Sequence, residues 1–372
     1  MNQNEKRMIL TSVQKPGRYA GGEYGQVIKD RAAVSARFAF CFPDTYEIGM
    51  SNLGVRILYH CLNLHERIWC ERVYDPWVDM QEKMKEYDLP LTAVESGDPL
   101  SVFDFIGFTL QYEMSYTNVL NMLELGRVPI WARERGEHDP LVIGGGPCSY
   151  NPEPVADFFD LFNIGEGEEM LPEIVELYIA MRDEGSYTRA AFLHRAAATI
   201  PGVYVPSLYD VTYNEDGTVR AYTPRYPDVP AVVTKRIVTD LDKGLYPEQV
   251  VMPYIETVQD RITVEVGRGC IRGCRFCLRA FCSFGIVPKS RSTARHAQTL
   301  QALFQAPFPL LPPVFLSYRQ ARLRAPAPLV QSQTVLKQLH LPCCISCPVL
   351  KNAAENQASP HAQARKTPDP AR

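Results

Sequence analysis

Residues 38–62, which read FAFCFPDTYEIGMSNLGVRILYHCL, decide the fold class. The apolar run Phe38–Phe42 ends at Pro43-Asp44 and predicts a buried strand. Apolar residues then recur at helical spacing from Leu53 to Leu62, as they do on the buried face of an amphipathic helix. A strand that is followed at once by a helix indicates a parallel α/β sheet.

The same alternation continues as far as Arg182. Further strands are predicted at 103–110, 141–143 and 159–164, and further helices at 119–123 and 171–177. Strands that alternate with helices in this way imply a doubly wound parallel sheet. We expect this domain to span residues 31–185, after a polar arm at 1–30 that lies across the surface.

Residues 186–260 are predicted to form a connector. A helical pattern covers 187–200, and short alternating strands around Asp216-Gly217 predict a hairpin within a proline-rich stretch. Ile262–Val266 then predicts a strand that leads directly into Gly267-Arg268-Gly269-Cys270. We expect this strand to begin a second domain over residues 261–285.

Three cysteines, Cys270, Cys274 and Cys277, lie in the segment CIRGCRFC. Three thiolates on one short loop can ligate three irons of a 4Fe-4S cluster and leave the fourth iron without a protein ligand. Two alternatives stay open: a zinc site with Cys282 as the fourth ligand, and an electron-transfer cluster. Zinc sites usually contain two C-x2-C pairs, and this segment contains one.

The cysteine segment resembles that of radical S-adenosylmethionine (SAM) enzymes, whose C-x3-C-x-aromatic-C loop follows the first strand of a TIM-type barrel. The resemblance implies a 4Fe-4S cluster on these cysteines and SAM at the open iron, with its adenine near Phe276. It implies reductive cleavage of SAM to a 5′-deoxyadenosyl radical, with an electron donor such as flavodoxin or ferredoxin. No residue indicates the substrate.

A second motif precedes the cysteines. Asp44-Thr-Tyr46-Glu-Ile-Gly49 resembles the D-x-H-x-x-G loop of cobalamin-binding modules. Thr109 stands where such modules have a serine-containing loop, and Gly144, Gly145 and Gly146 stand where the nucleotide tail of cobalamin lies. Tyr46 replaces the cobalt-ligating histidine, so that bound cobalamin would lack this lower ligand. The alternatives are an empty pocket, a helix N-cap at Asp44 and a plain tight turn at the glycines.

Together the motifs resemble an uncharacterised bacterial family of B12-binding-domain radical SAM proteins over residues 14–279. The supporting segments are KPGRYAGGEYG, FPDTYEIGMSNLG, LQYEMSYTNVLNML, GGGPCSYNPEP and GRGCIRGCRFC, with a similar GEGE segment at 165–168. The resemblance implies an N-terminal Rossmann-like, cobalamin-binding-like domain and the start of a radical SAM barrel. A ligand-binding module without chemistry and a small iron–sulfur electron carrier are the rival functions.

Residues 286–372 differ in composition from the rest of the chain. They contain none of the 23 glycines and only two of the 42 acidic residues. We therefore expect a truncated barrel with an irregular, disordered tail that arises from a reading-frame change. The net charge of −3 gives no signal for nucleic acid or membrane. No signal-peptide core precedes Tyr19, so the expected location is cytoplasmic.

Overall fold

The structure is a computed structural model that describes residues 3–242, 246–247, 250–259, 263, 265, 267–269 and 289–290, without the side chains of 3–6 and 289–290. The helices are α1 (Gln3–Ser12), α2 (Tyr46–Ser51), α3 (Leu53–Asn63), α4 (Val78–Glu86), α5 (Tyr116–Leu125), α6 (Gly167–Asp183) and α7 (Arg189–Thr199). The strands are β1 (Ala36–Phe42), β2 (Ile68–Tyr74), β3 (Phe105–Thr109), β4 (Leu141–Gly145), β5 (Leu161–Asn163), β6 (Val203–Tyr204), β7 (Tyr209–Tyr213), β8 (Val219–Pro224), β9 (Gly267–Arg268) and β10 (Lys289–Ser290).

A six-stranded, mostly parallel sheet forms the centre of the described residues. Its order is β2-β1-β3-β4-β5-β6. Strands β1 to β5 run parallel, and β6 is antiparallel to β5. The α/β class predicted from the sequence is therefore confirmed. The order 2-1-3-4-5 is one of the two common orders of doubly wound sheets.

Helices cover both faces of this sheet. Phe38, Phe40 and Phe42 of β1 pack in one core with α3, α6 and α7. Ala39 and Cys41 point to the other core, which contains side chains of α4 and α5. Because successive side chains of a strand point to opposite faces, the apolar run of β1 serves both cores.

The N-terminal segment is more deeply buried than the predicted surface arm. It begins with α1, and Ile9 and Val13 are buried in the second core. Glu23 is also buried, where it pairs with Arg72 at 2.9 Å between Oε2 and Nη2. Arg72 also pairs with Glu95 at 2.6 Å. Buried charges persist only where they are paired in this way.

The two edges of the sheet are closed differently. On the outer side of β2, the Asn63 side chain bonds both the N–H and the C=O of Cys70, at 3.0 and 2.9 Å. The Arg72 N–H donates to Glu95 at 2.7 Å, and its C=O accepts from Val94 N at 2.9 Å. At the opposite edge, β6 is only two residues long.

The connector contains the helix and the hairpin that the sequence predicts, as α7 and the antiparallel pair β7–β8. Of the strand predicted at 262–266, only residues 263 and 265 are described. Beyond it β9 pairs antiparallel with β10, so a parallel barrel start is not confirmed. Among the described residues, no helix is long and apolar enough to cross a membrane.

Candidate functional site

The strand order reverses between β1 and β3, which are neighbours in the sheet. The helices after these neighbouring strands, α3 and α5, lie on opposite faces. Such a switch point is where open α/β sheets bind ligands. Asp44 follows β1, Thr109 ends β3, and Gly145 of β4 is the register partner of Thr109. The structure therefore brings these predicted residues to one edge.

Two side-chain hydrogen bonds join the segments that follow β1 and β3. The Tyr112 hydroxyl donates to Asp44 Oδ2 at 2.9 Å, and Asn118 Nδ2 donates to the Pro43 carbonyl at 3.0 Å. Asp44 Oδ1 accepts from the N–H of Thr45 at 2.7 Å. Thr45, rather than Asp44, is the N-cap residue of α2. Both oxygens of the Asp44 carboxyl group are thus already hydrogen-bonded.

Tyr46 and Gly49 pack in the interior of the domain. The Tyr46 side chain is buried, and its hydroxyl donates to Glu23 Oε1 at 2.7 Å. Burial, reinforced by Glu23, raises the pKa of Tyr46 far above its ordinary value, which keeps the phenol neutral. A Cβ at Gly49 would overlap the Tyr74 ring. Packing therefore explains both residues without a ligand.

The three glycines of the predicted nucleotide loop have different surroundings. A Cβ at Gly144 would lie 2.6 Å from Phe162 Cδ1. Gly146 has a φ of 91°, and its Cβ would lie 2.9 Å from the Leu110 carbonyl. Gly145 differs because no atom would be nearer than 3.8 Å. Packing accounts for Gly144, and turn geometry accounts for Gly146.

Asp75 is a site residue that the sequence analysis missed. It follows β2 directly, and its N–H donates to the Asp44 carbonyl at 3.0 Å. Burial raises the pKa of Asp75 to about 7; Asp44 adds to this effect, and a 2.9 Å hydrogen bond from Asn121 opposes it. Perturbed carboxyl groups of this kind concentrate at functional sites. The signal, an acid directly after a strand, was hidden because β2 itself was not predicted.

A second group of polar side chains lies at the start of α6, in the GEGE segment. The Arg268 guanidinium contacts Glu168, and it also pairs with Glu265 at 2.6 Å and Glu166 at 3.5 Å. The N–H of Glu166 donates to the Arg236 carbonyl at 3.0 Å. A Cβ at Gly165, which has a φ of 120°, would overlap that carbonyl. The segment thus holds two later parts of the chain against α6.

Cys270, Cys274, Cys277 and Phe276 lie outside the described residues, so their assignment to a cluster and to SAM stays a prediction. Within the part of the chain that is described, no three His, Cys, Asp or Glu side chains are grouped to hold a metal ion. Cys41, Cys61 and Cys70 are buried thiols. Cys148 is also buried.

Comparison with known proteins is consistent with part of the predicted relationship. Residues 54–206 match the family model described as radical SAM proteins, N-terminal. The matched region runs from α3 to just beyond β6 and includes Asp75, Glu166 and Glu168. The description of this family names no cobalamin-binding domain.

One relative is an uncharacterized protein of Methanocaldococcus jannaschii. It is 24% identical over 250 residues, which make up 64% of this chain and 40% of that protein. The chain thus aligns with less than half of the length of this relative. No solved structure matches the chain.

Proposed function

We propose that this chain belongs to a radical SAM enzyme that uses Cys270, Cys274 and Cys277 to hold a 4Fe-4S cluster. One observation carries the proposal. The region that matches the N-terminal radical SAM family contains Glu168, and Glu168 contacts Arg268, two residues before Cys270. The matched region therefore contacts the residue that stands two positions before the cysteine motif in the sequence.

The donor set fits the proposed cofactor. Three thiolates suit a cube-type cluster with one iron left for SAM. When bound, the cluster would supply the electron that cleaves SAM, with methionine and 5′-deoxyadenosine as the products recovered without substrate. Phe276 is proposed to contact the adenine. A reduced flavodoxin or ferredoxin is the proposed electron donor.

The proposal includes a Rossmann-like N-terminal domain but leaves cobalamin out. The sheet order supports such a fold, which also occurs in cobalamin-binding modules. The residues do not support the ligand, because the Tyr46 hydroxyl is buried against Glu23 and the Asp44 carboxyl group is bonded to Tyr112. The substrate stays open.

Anaerobic reconstitution of the full chain with iron and sulfide tests this function. We expect about four irons per chain, and 5′-deoxyadenosine after addition of dithionite and SAM. The triple variant Cys270→Ala, Cys274→Ala, Cys277→Ala should lose both, and Cys282→Ala should keep both. A triple variant that retains the cluster would refute the assignment.

Two further outcomes test the alternatives for the cysteine segment, an electron carrier and a zinc site. A stable cluster that is reduced but never cleaves SAM would indicate an electron carrier. Purified protein that holds zinc through these cysteines and takes up no iron would indicate the zinc site. Either result would overturn the proposed enzyme.

A further inference from the structure

A cavity of about 300 Å³ lies beside α3 in the described part of the chain. Helices α2 and α3 and the end of β2 contribute most of its lining. The remaining lining residues are Gly25, Val27, Pro247, Val250 and Val251. Small-molecule sites span roughly 300–1,000 Å³, so the cavity has room for a small organic ligand.

The two later-packed segments of the lining are bonded to the rest of the domain and to each other. The Val27 N–H donates to the Tyr59 hydroxyl at 2.8 Å, and the Met252 N–H donates to the Tyr24 carbonyl at 2.9 Å. Gly25 has a φ of 83°, and a Cβ there would lie 2.8 Å from the Val250 carbonyl oxygen. Only glycine allows this close approach. The cavity is therefore preformed, as small-molecule sites usually are.

The lining is mostly apolar, and Arg56 brings a guanidinium to it. The Arg56 side chain is partly buried, and its Nε and Nη2 atoms donate to the Met50 carbonyl at 3.0 and 2.5 Å. Across the described ranges, no carboxylate pairs with this guanidinium, and no acceptor bonds its Nη1 atom. One end of the guanidinium therefore stays available to an anion.

Arg56 differs in this respect from the buried arginines of the domain. Burial lowers the pKa of Arg56, with Arg72 adding to the effect, yet a guanidinium keeps its charge at neutral pH. A charge that is withdrawn from water without a counter-ion is costly. The buried arginines each have one: Arg72 pairs with Glu23 and Glu95, and Arg135 and Arg189 pair with Asp160.

We propose that this cavity binds a small organic carboxylate, whose charged group pairs with Arg56 and whose apolar body packs between Val27, Val55 and Val251. The carboxylate would supply the counter-ion that Arg56 lacks among the described residues. Hydrogen bonds from a guanidinium to a carboxylate are among the strongest in proteins. The proposal is independent of the cysteine motif and of the cofactor assigned to it.

Calorimetric titration of the full chain with hexanoate tests the proposal, because this probe combines a carboxylate with an apolar chain. Hexanoate should bind at least about tenfold more tightly than hexanamide, which lacks the charge. It should also exceed acetate, which lacks the chain, by at least about tenfold. Inorganic phosphate should bind more weakly than hexanoate. Equal affinities for hexanoate and hexanamide, or tighter binding of phosphate, would overturn the proposal.

Variants of Arg56 locate the binding. Arg56→Gln should weaken hexanoate binding about tenfold, and Arg56→Lys should retain part of the affinity. Arg67→Gln is the matched control, because Arg67 forms an exposed pair with Asp183 and does not line the cavity. It should bind hexanoate like the wild type. Unchanged affinity in Arg56→Gln would refute the assignment.

Hydrogen–deuterium exchange on the wild type keeps the test decisive if Arg56→Gln fails to fold. Saturating hexanoate should slow exchange in peptides that cover α3 and residues 250–259, which contribute to or adjoin the lining. Peptides of the β7–β8 hairpin, which lies outside the lining, should not change. Protection of the hairpin without protection of α3 would place the ligand elsewhere and overturn the proposal.

Discussion

Asp75 is a half-buried carboxyl group at the end of an edge strand, and burial raises its pKa from 3.8 to about 7. Between these two pH values the folded chain holds a proton that the unfolded chain has lost. Stability contributed by this group therefore falls as the pH rises from about 4 to about 7, and the full penalty is present above pH 7.

Asp75→Asn is expected to remove that penalty. The variant should be more stable than the wild type at pH 8, by about 1–3 kcal/mol, and the gain should shrink towards pH 4. The amide oxygen can still accept from Asn121. Urea unfolding at pH 5 and pH 8 measures the difference. Asp183→Asn, at an exposed pair with Arg67, is the control and should change little. An equal gain at both pH values would contradict the linkage.

What the sequence could reveal about the carboxyl edge of the sheet is the position of some residues and not their partners. Asp44, Thr109 and Gly145 were predictable because each follows or ends an apolar strand, and parallel strands bring their carboxyl ends to one edge. Their partners were not predictable. Tyr112 bonds Asp44 over 68 positions of sequence, and Glu23 bonds Tyr46 over 23 positions. Such pairs depend on the completed fold.

At the scale of secondary-structure elements, the glycine-rich end of β4 can be used to test whether packing, rather than ligand binding, explains its glycines. Gly144→Ala should destabilise the fold by about 1–3 kcal/mol, because a Cβ there must displace the buried Phe162 ring. Gly145→Ala should stay within about 0.5 kcal/mol of the wild type. Denaturant midpoints of both variants check this. Equal midpoints would mean that packing does not explain Gly144.

Element prediction succeeded where apolar residues were continuous and failed where buried charge interrupted them. The apolar runs predicted β1, β3, β4 and β5 correctly. Strand β2 was missed although it is wholly buried, because it carries Glu71 and Arg72. These charges are satisfied by Arg37 and by Glu95, which lie outside β2. Helix α1 was missed because its sequence is largely polar.

At the scale of the whole molecule, the chain divides into residues 1–306 and 307–372. The first unit contains the complete sheet, both cores and the ladder of β9 with β10. A variant that ends at residue 306 should therefore keep the melting temperature of the full chain within about 2 °C. Circular dichroism melting checks this. A much lower melting temperature would show that the last 66 residues stabilise the fold, contrary to the prediction from the composition of the tail.

The sealed edge of β2 has a consequence for how copies of this protein meet. The unpaired N–H and C=O groups of an edge strand can normally pair with a strand of another molecule. Apolar strands such as β1 can form cross-β structure when they become exposed. Here the outward peptide groups of Cys70 and Arg72 are already engaged by Asn63, Val94 and Glu95. A neighbouring molecule that paired with this edge would first have to displace those hydrogen bonds, so the native fold protects β2 from pairing with another copy.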